Sequence, residues 1–353
     1  MSNLIKEMTD IDHGAVFPHQ NLEKKLQPIE NCVCFNLNLH NLNPLNQIKL
    51  AKICKQFKPD LLHSHGKAAG LWGRMLSMQT KVPIIHQFHG LHWRHYPFAL
   101  QGAYFVYEKI FAHMTDGFVF VSNGEMDEYD QWIDAKTLGK VIPNGVSASE
   151  GIDQAEREKL QHRLDLPEDI PILVSITRAV YQKSLDRLLY IHGQLLKIRP
   201  SVLLLIGVHP EDLEKHSIHS EQKRLIRCIH DEQNVISKIQ LGEIYLSTSR
   251  WEGFSLGLLE ALGAGVPAIV SAVTGHLDLI PLHPKGLRLV GTNNSDEYLQ
   301  HIIEWLDDTK KRKEAGMIAQ KYVNKLFSLR ESAQSMQSYY NEVLENVYAN
   351  PKG

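Results

Sequence analysis

Short apolar runs alternate with longer segments of helical periodicity along most of this chain. In the first half, Gly, Pro, Asn or Asp residues bound the apolar runs, which is typical of buried strands. The predicted strands of this half are Ala15–Phe17, Val33–Leu37, Leu61–His65, Ile84–Phe88, Phe118–Val121 and Val141–Ile142. The predicted helices between them are Leu45–Phe57, Ala68–Met78, Ala103–Met114 and Glu125–Ile133. This alternation predicts a parallel sheet covered by helices on both faces.

A polar stretch from Ser147 to Asp169 interrupts the alternation, and a second strand-and-helix series follows it. The predicted strands of this series are Ile172–Ile176, Val202–Ile206, Ile244–Leu246 and Ala268–Val270. The predicted helices are Ser184–Ile198, one that begins at Leu256, and terminal helices from Asp296 to about Val347. We therefore expect two doubly wound α/β domains, residues 1–147 and 148–353, that face each other across a central cleft. In such folds ligands bind at the carboxyl ends of the strands.

Composition narrows the classes of function. The chain has 353 residues, of which 43% are hydrophobic and 22% are charged, as is typical of a globular protein with two domains. The formal net charge of −2 gives no basic face for nucleic acid. The four cysteines have no C-x-x-C spacing, and the N-terminus lacks a basic-then-apolar signal sequence. We therefore expect reduced thiols in a cytoplasmic protein that does not bind nucleic acid.

The most informative segment is Ser249–Pro267, where a predicted strand turns into a predicted helix. Glu252 falls in the turn, and Glu260 falls inside the helix. The first backbone N–H groups of a helix lack intrahelical partners and carry the positive end of its dipole, which suits a diphosphate. The amides expected there are those of Phe254, Ser255 and Leu256. From the residues alone, an ordinary turn with solvated carboxylates remains open.

Two further positions carry groups that can bind phosphates or hydroxyls. Arg178 and Lys183 follow the first strand of the second domain, where a guanidinium and an ammonium can stabilise a departing diphosphate. His89 follows the strand Ile84–Phe88, and a neutral imidazole there can hydrogen-bond a hydroxyl. A solvated loop and a structural histidine are the alternatives. No D-x-D pair ends a strand and no G-x-G-x-x-G follows one, so neither a metal-diphosphate site nor a dinucleotide site is expected.

The segment Ser247–Ala272 closely resembles the E-x7-E motif of the family 4 retaining glycosyltransferases, whose fold is called GT-B. The resemblance extends from about Pro59 to the C-terminus and includes His63–Gly66, which looks like the family's H-x-H-G segment. Thr177–Ser184 resembles its G-R-x4-K-G segment, with Thr and Ser at the glycine positions. The resemblance implies a GT-B fold and transfer of a sugar from a nucleotide-diphosphate donor, linked to UDP or GDP.

The acceptor implied by the resemblance is a hydroxyl of a glycan or a lipid-linked glycan, in bacterial surface polysaccharide or lipopolysaccharide synthesis. It assigns Arg178 and Lys183 to the donor diphosphate, His89 and Glu252 to the transferred sugar, Glu260 to the ribose, and the amides of Phe254, Ser255 and Leu256 to the phosphates or sugar. No divalent metal is required in this scheme, and no metal site is expected. Peripheral contact with the cytoplasmic face of the membrane is compatible with such an acceptor.

Two departures from the family pattern support a different hypothesis. Family members begin with a strand and a glycine-rich loop, whereas Met1–Met8 is predicted as the helix that follows that loop, so the first strand is expected to be missing. Between Asn234 and Ser247, where the family has a strand, a loop and a helix near the nucleobase, this chain has only about a dozen residues. The alternative is a degenerate glycosyltransferase-like protein that binds a glycan or a protein partner without turnover.

Overall fold

The computed structural model divides the chain into two compact α/β units. The first unit contains Met1–Gly145 together with Leu329–Gly353, and the second contains Val146–Ser328. The structure describes residues 2–17, 26, 29–39, 43–91, 93, 96–133, 138–149, 151–230 and 234–349. Both units contain parallel sheets flanked by helices, so the predicted α/β class is confirmed.

The first unit contains parallel strands only, among the residues that the structure describes. They are β1 (His13–Phe17), β2 (Cys32–Asn36), β3 (Leu62–His65), β4 (Ile84–Gln87), β5 (Gly117–Phe120) and β6 (Leu138–Val141). β1 pairs with β2, and the other four form a sheet in the order β3-β4-β5-β6. His65 lies opposite Gln87 in the register, so the carboxyl ends of β3 and β4 meet at one edge of the sheet.

Helices connect these strands as the alternation predicts. They are α1 (Ser2–Glu7), α2 (Leu45–Phe57), α3 (Gly66–Thr80), α4 (Phe98–Ala112) and α5 (Asn123–Ile133). α2 has the bounds that its apolar spacing predicts, α3 is two residues longer at each end than predicted, and α5 begins two residues earlier than predicted. α4 begins five residues earlier than predicted, directly after its N-cap residue Pro97.

The second unit has six parallel strands in the order β9-β8-β7-β10-β11-β12. The strands are β7 (Ile172–Ile176), β8 (Val202–Ile206), β9 (Ile226–Ile229), β10 (Ile244–Ser247), β11 (Ala268–Ser271) and β12 (Leu287–Val290). This is the doubly wound order. Successive strands are added outward in one direction from β7 and in the opposite direction from β10. All five side chains of β8 are buried, which explains its unbroken apolar sequence.

The helices of the second unit cover both faces of its sheet. They are α6 (Gln154–Arg163), α7 (Leu185–Leu195), α8 (Ser220–Arg224), α9 (Val235–Ile239), α10 (Leu256–Gly263), α11 (Thr274–Leu277), α12 (Ser295–Asp307) and α13 (Thr309–Leu326). α7 and α12 pack on the sheet with residues such as Leu188, Ile302 and Trp305 in one buried cluster. The first and last residues of this unit, Val146 and Ser328, are neighbours because they form a parallel β-bridge.

The last helix, α14 (Leu329–Ala349), differs from the sequence prediction, which placed it in the second domain with residues 148–353. Its apolar face packs against β4 and β5, where Met336 and Val343 join a cluster with Ile85 and Val119. The Tyr339 hydroxyl donates to the carbonyl oxygens of β5 and β6 at 3.0 and 2.7 Å. The helix therefore completes the core of the first unit.

Candidate functional site

Two loops at the carboxyl ends of β7 and β10 form the candidate site of the second unit. These strands are neighbours, and their connections run in opposite directions, one to β8 and the other to β11. Helices therefore leave the pair on different sides, and the two loops diverge to leave room for a ligand. Arg178 and Lys183 lie on the first loop, and Glu252 lies on the second.

Direct hydrogen bonds tie the two loops to each other. The Arg250 backbone N–H donates to the Gln182 carbonyl at 2.8 Å, and the Gln182 side chain donates to the Trp251 carbonyl at 3.0 Å. The Thr248 hydroxyl donates to the Ser184 carbonyl at 3.0 Å. Ser184 occupies a glycine position of the family segment and has φ of 52°, a left-handed conformation that glycine adopts most easily. The loops are thus fixed before any ligand binds.

Lys183 and Glu252 form an ion pair at the centre of these loops. Lys183 Nζ lies 2.5 Å from Glu252 Oε1, and the two side chains are 17% and 7% exposed. The Ser249 hydroxyl donates to the same carboxylate oxygen at 2.5 Å. In the described part of the chain, Glu252 Oε2 accepts no hydrogen bond. This second oxygen is available to a ligand hydroxyl.

Arg178 is exposed, and its guanidinium has no hydrogen-bond partner among the residues that the structure describes. The two cations of the first loop therefore differ. Lys183 is held by a carboxylate, whereas Arg178 is free to bind an anion as a planar, multidentate donor.

Helix α10 begins directly after the loop that carries Glu252. Ser255 is the N-cap, and its side chain accepts a hydrogen bond from the Leu258 N–H at 3.4 Å. Leu256 is the first helical residue, so its amide and that of Gly257 are the leading donors of the helix. The Phe254 amide lies before the N-cap. The Phe254 ring is buried and packs against Phe327, with the ring centroids 5.3 Å apart.

Glu260 lies on the second turn of α10 and is partly buried. Burial raises the pKa of its carboxyl above the usual value. The side chain makes no hydrogen bond to any described residue, so none of these residues compensates for its desolvation. A ligand that donates hydroxyl hydrogens to Glu260 would supply that compensation.

His89 lies in the first unit, after the end of β4, and its side chain is exposed. Its Nε2 lies 3.2 Å from His65 Nδ1, and the two rings stack with their centroids 5.4 Å apart. The next residue, Gly90, donates its N–H to Glu125 Oε1 at 2.5 Å. Of the eight predicted site residues, His89 therefore belongs to the first unit, and the other seven belong to the second.

Glu125 is a buried carboxylate that sequence analysis missed. Besides Gly90, it accepts the Val121 N–H at 2.8 Å, and its own N–H donates to the Ser122 hydroxyl at 3.1 Å. It therefore ties the loop after β4, which carries His89, to the loop after β5. The spacing Ser122-x-x-Glu125 is a capping-box pattern and could have identified it.

His276 is a second group that sequence analysis missed. It is fully buried after β11, and burial lowers its pKa. His276 Nδ1 lies 2.8 Å from the Ser271 carbonyl oxygen, so Nδ1 carries the hydrogen and Nε2 of the neutral ring is an acceptor. The neighbouring Gly275 packs tightly on the Glu252 turn, because a Cβ there would lie 2.2 Å from the Gly253 carbonyl oxygen.

Two short elements lie at or near the segment of about a dozen residues between Asn234 and Ser247. Strand β9 ends at Ile229, just before this region, and the short helix α9 lies within it. The sequence prediction missed β9 because Arg227 and Cys228 interrupt its apolar character and are only partly buried.

Within the described ranges, no group of three or more His, Cys, Asp or Glu side chains is arranged to hold a metal ion. In the same ranges, no helix combines the length and the apolar character needed to cross a bilayer.

Both halves of the chain match glycosyltransferase family models. Residues 156–322 match the family described as Glycosyl transferases group 1, and residues 15–150 match Glycosyltransferase Family 4. Together the two matches span most of the chain.

Two relatives match this chain over most of their own length. The chain is 24% identical over 288 residues to an Escherichia coli enzyme, UDP-Gal:alpha-D-GlcNAc-diphosphoundecaprenol alpha-1,3-galactosyltransferase, covering 78% of this chain and 73% of that one. It is 22% identical over 358 residues to a Campylobacter jejuni enzyme, N,N'-diacetylbacillosaminyl-diphospho-undecaprenol alpha-1,3-N-acetylgalactosaminyltransferase, covering 94% and 92%.

Solved structures share the fold. Anabaena HepE in complex with UDP-glucose superimposes with a TM-score of 0.79 at 16% identity, covering 97% of this chain and 94% of that one. The GT-B fold predicted from the sequence is thereby confirmed.

Proposed function

The chain belongs to the family 4, group 1 glycosyltransferases, and from that premise we propose that it transfers a hexose from a UDP-linked donor to a hydroxyl of a lipid-diphosphate-linked glycan. We propose further that the transfer retains the anomeric configuration and serves the assembly of a bacterial surface polysaccharide or lipopolysaccharide. The two relatives described above act on diphosphoundecaprenol-linked acceptors, which supports this acceptor class.

The observation that carries the proposal is the Lys183–Glu252 pair, together with the free guanidinium of Arg178 on the loop that also carries Lys183. A sugar diphosphate has two anionic phosphates next to a ring of hydroxyls. The two cations and the α10 amides complement the negative charge of the phosphates, and Glu252 Oε2 can accept a hydrogen bond from a sugar hydroxyl. The Glu260 carboxylate can accept hydrogen bonds from the two neighbouring hydroxyls of the ribose.

In the proposed reaction, the bond between the anomeric carbon and the diphosphate oxygen breaks, and its electron pair leaves with the diphosphate. The acceptor hydroxyl attacks the same face of the sugar and passes its proton to the departing phosphate oxygen. Arg178 and Lys183 stabilise the charge that develops on this leaving group. His89 is proposed to donate a hydrogen bond to the sugar or the phosphate from the first unit.

Donor binding in this scheme needs no divalent metal, because Arg178, Lys183 and the α10 amides provide the countercharge. We also propose that the enzyme acts at the cytoplasmic face of the membrane, bound peripherally, since a lipid-linked acceptor is anchored there.

Incubating the purified protein with UDP-hexoses, a short-chain polyprenyl-diphosphate GlcNAc acceptor and excess EDTA tests the proposal. We expect UDP release coupled to an acceptor product one hexose larger, with an α-linkage by NMR. An Arg178→Ala variant should lose both signals, and Lys197→Ala, a change at an exposed lysine of the same unit, should lose neither. Absence of transfer from each of the UDP-hexoses tested, or transfer only with added Mg²⁺ or Mn²⁺, would contradict it.

A further inference from the structure

His65 and His89 contact each other through ring nitrogens at the carboxyl ends of β3 and β4. His65 is the last residue of β3, and His89 lies two residues after the end of β4. His65 Nδ1 lies 3.2 Å from His89 Nε2, which is a hydrogen-bond distance, and the planes of the two stacked rings differ by 18°. One nitrogen of the His89 ring is therefore bound by a protein group.

His65 also contacts a third histidine, which is anchored on the last helix. The His63 ring packs against the His65 ring with the centroids 4.1 Å apart. His63 Nδ1 lies 2.7 Å from the hydroxyl oxygen of Tyr340, which is on α14. Contacts therefore run without a break from α14 through β3 to the loop after β4, and they restrain the His65 ring.

The backbone beside His89 is held by a different group. Gly90 has φ of 108°, a conformation that favours glycine, and its N–H donates to Glu125 Oε1 at 2.5 Å. Glu125 therefore fixes the course of the chain at this point. The contact with His65 then sets the rotation of the His89 ring.

Both rings of the contact are neutral at neutral pH. Burial lowers the pKa of His65 well below its usual value, and the neighbouring His63 and His89 lower it further. Desolvation by the surrounding protein lowers the pKa of His89 to about 4, although part of the residue reaches solvent. A neutral imidazole carries one ring hydrogen, so one ring of the pair donates and the other accepts.

The direction of this hydrogen bond decides what His89 can offer to a ligand. Among the residues that the structure describes, none forms a hydrogen bond with His89 Nδ1, so this nitrogen is left for a ligand. If Nε2 of His89 carries the hydrogen, Nδ1 is an acceptor. If His65 Nδ1 carries the shared hydrogen instead, His89 Nδ1 is a donor. Only the second arrangement allows His89 to donate to a sugar or phosphate oxygen.

We propose that His65 is a positioning residue, which donates its Nδ1–H to His89 Nε2 and fixes His89 as the tautomer that presents Nδ1–H to the donor substrate. An isolated imidazole side chain favours the opposite tautomer, with its hydrogen on Nε2, so a neighbouring group has to impose the Nδ1–H form. His65 contacts the His89 ring and not the substrate. The direction of the hydrogen bond rests on the role of His89 in the proposed function.

NMR of the full chain with ¹⁵N-labelled histidine rings tests the tautomer directly, at neutral pH and without ligand. The His89 signals are those that disappear in His89→Gln. We expect a protonated Nδ1 and an unprotonated Nε2 in the unmodified protein, and a shift toward Nε2–H in His65→Ala. His113→Ala, at an exposed histidine of the same unit, is the control and should leave the His89 signals unchanged. An Nε2–H tautomer in the unmodified protein, or an unchanged tautomer in His65→Ala, would overturn the proposal.

Two substitutions of equal shape test the direction of the hydrogen bond through kinetics. His65→Ala should lower kcat for hexose transfer about tenfold or more and leave KM for the UDP-hexose nearly unchanged, because the lost hydrogen bond orients a group that acts on the departing diphosphate. The amide of His65→Asn can donate to His89 Nε2 and should restore most of kcat. The ionised carboxylate of His65→Asp can only accept, so it should not restore kcat. Equal or better rescue by His65→Asp would overturn the proposal, whereas a general loss of packing would affect both variants alike.

The two experiments separate this proposal from the proposed function. The NMR measurement requires neither donor binding nor turnover. An Nδ1–H tautomer that depends on His65, in a protein that does not bind a UDP-hexose, would refute the proposed function and support the His65 contact. Active transfer by a protein whose His89 carries its hydrogen on Nε2 would support the proposed function and refute the positioning role of His65.

Discussion

Lys183 Nζ contacts Glu252 Oε1 at 2.5 Å across the two loops of the second unit, although 69 residues of sequence separate them. Without ligand, the cation assigned to the diphosphate is therefore neutralised by the carboxylate assigned to the sugar. In the proposed function, an incoming donor diphosphate shares Lys183 with Glu252, and the pair orients both side chains before the donor arrives. Because Lys183 is paired with a carboxylate and Arg178 is not, substitutions of these two cations should have different effects.

Arg178→Ala should lower turnover about 100-fold or more, because one preorganised donor to the leaving diphosphate is lost. The melting temperature should not change, since Arg178 is exposed and no described residue bonds its guanidinium. Steady-state kinetics and thermal unfolding measure the two effects. Unchanged turnover would remove Arg178 from the diphosphate site.

Lys183→Ala should lower turnover similarly but also destabilise the protein by about 1–3 kcal/mol, because Glu252 is left mostly buried without its cation. Urea unfolding measures this cost. The double variant Lys183→Ala with Glu252→Gln should recover much of the stability but none of the activity. Full stability in the single variant would show that the ion pair does not hold in solution.

Substitutions of Glu252 and Glu260 should differ in their effects on the affinities for UDP-hexose and for UDP, which lacks the sugar. Glu260→Ala should weaken UDP and UDP-hexose alike, whereas Glu252→Ala should weaken UDP-hexose without weakening UDP, because Lys183 is then free for the diphosphate. Each lost charge-assisted hydrogen bond should cost about 1.5–3 kcal/mol in calorimetric titrations. Glu214→Ala, at an exposed position, is the control. Equal loss of UDP affinity in both variants would invalidate these roles.

UDP affinity should depend on pH through Glu260. Burial raises the pKa of the free carboxyl, and ribose hydroxyls that donate to the ionised form lower it in the complex. Affinity is therefore fully present above the raised pKa and falls as pH decreases through it. Titrations from neutral to acidic pH should show this fall in the unmodified protein and a weaker, flatter dependence in Glu260→Gln. A steep fall that persists in Glu260→Gln would assign the effect to another group.

Glu125→Gln should destabilise the first unit by about 1–3 kcal/mol, because an amide can accept only one of the Gly90 and Val121 N–H groups and turns a donor toward the other. If His89 acts in transfer, turnover should fall as well, since the loop that carries it is released. Asp127→Asn, an exposed change on the same helix, is the control for urea unfolding and kinetics. Wild-type stability in Glu125→Gln would show that the two loops are held by other contacts.

Much of the fold could be predicted from local pattern. β8 was found because a central parallel strand must be apolar at every position, and α2 was found because its apolar spacing is regular. β12 was missed for the same reason as β9. Arg288 interrupts its short apolar run, so four residues gave too little signal.

The placement of α14 could not be predicted from its own residues. The spacing of Met336, Tyr339 and Val343 shows that one face is buried, but it carries no information about which sheet buries it. The Lys183–Glu252 contact escaped prediction similarly, because each residue lies in a separate loop and only the strand order brings the loops together. The motif indicated the two roles, but the ion pair between them depends on tertiary structure.

The return of α14 to the first unit has a consequence for the order of folding during synthesis. The second unit is one continuous segment whose ends meet at Val146 and Ser328, so it can fold as soon as it leaves the ribosome. The first unit begins earlier in the chain but lacks α14 until the whole second unit has been synthesised. Its core around Ile85 and Val119 must wait for a helix encoded after the whole second unit, so the half synthesised first is the half completed last.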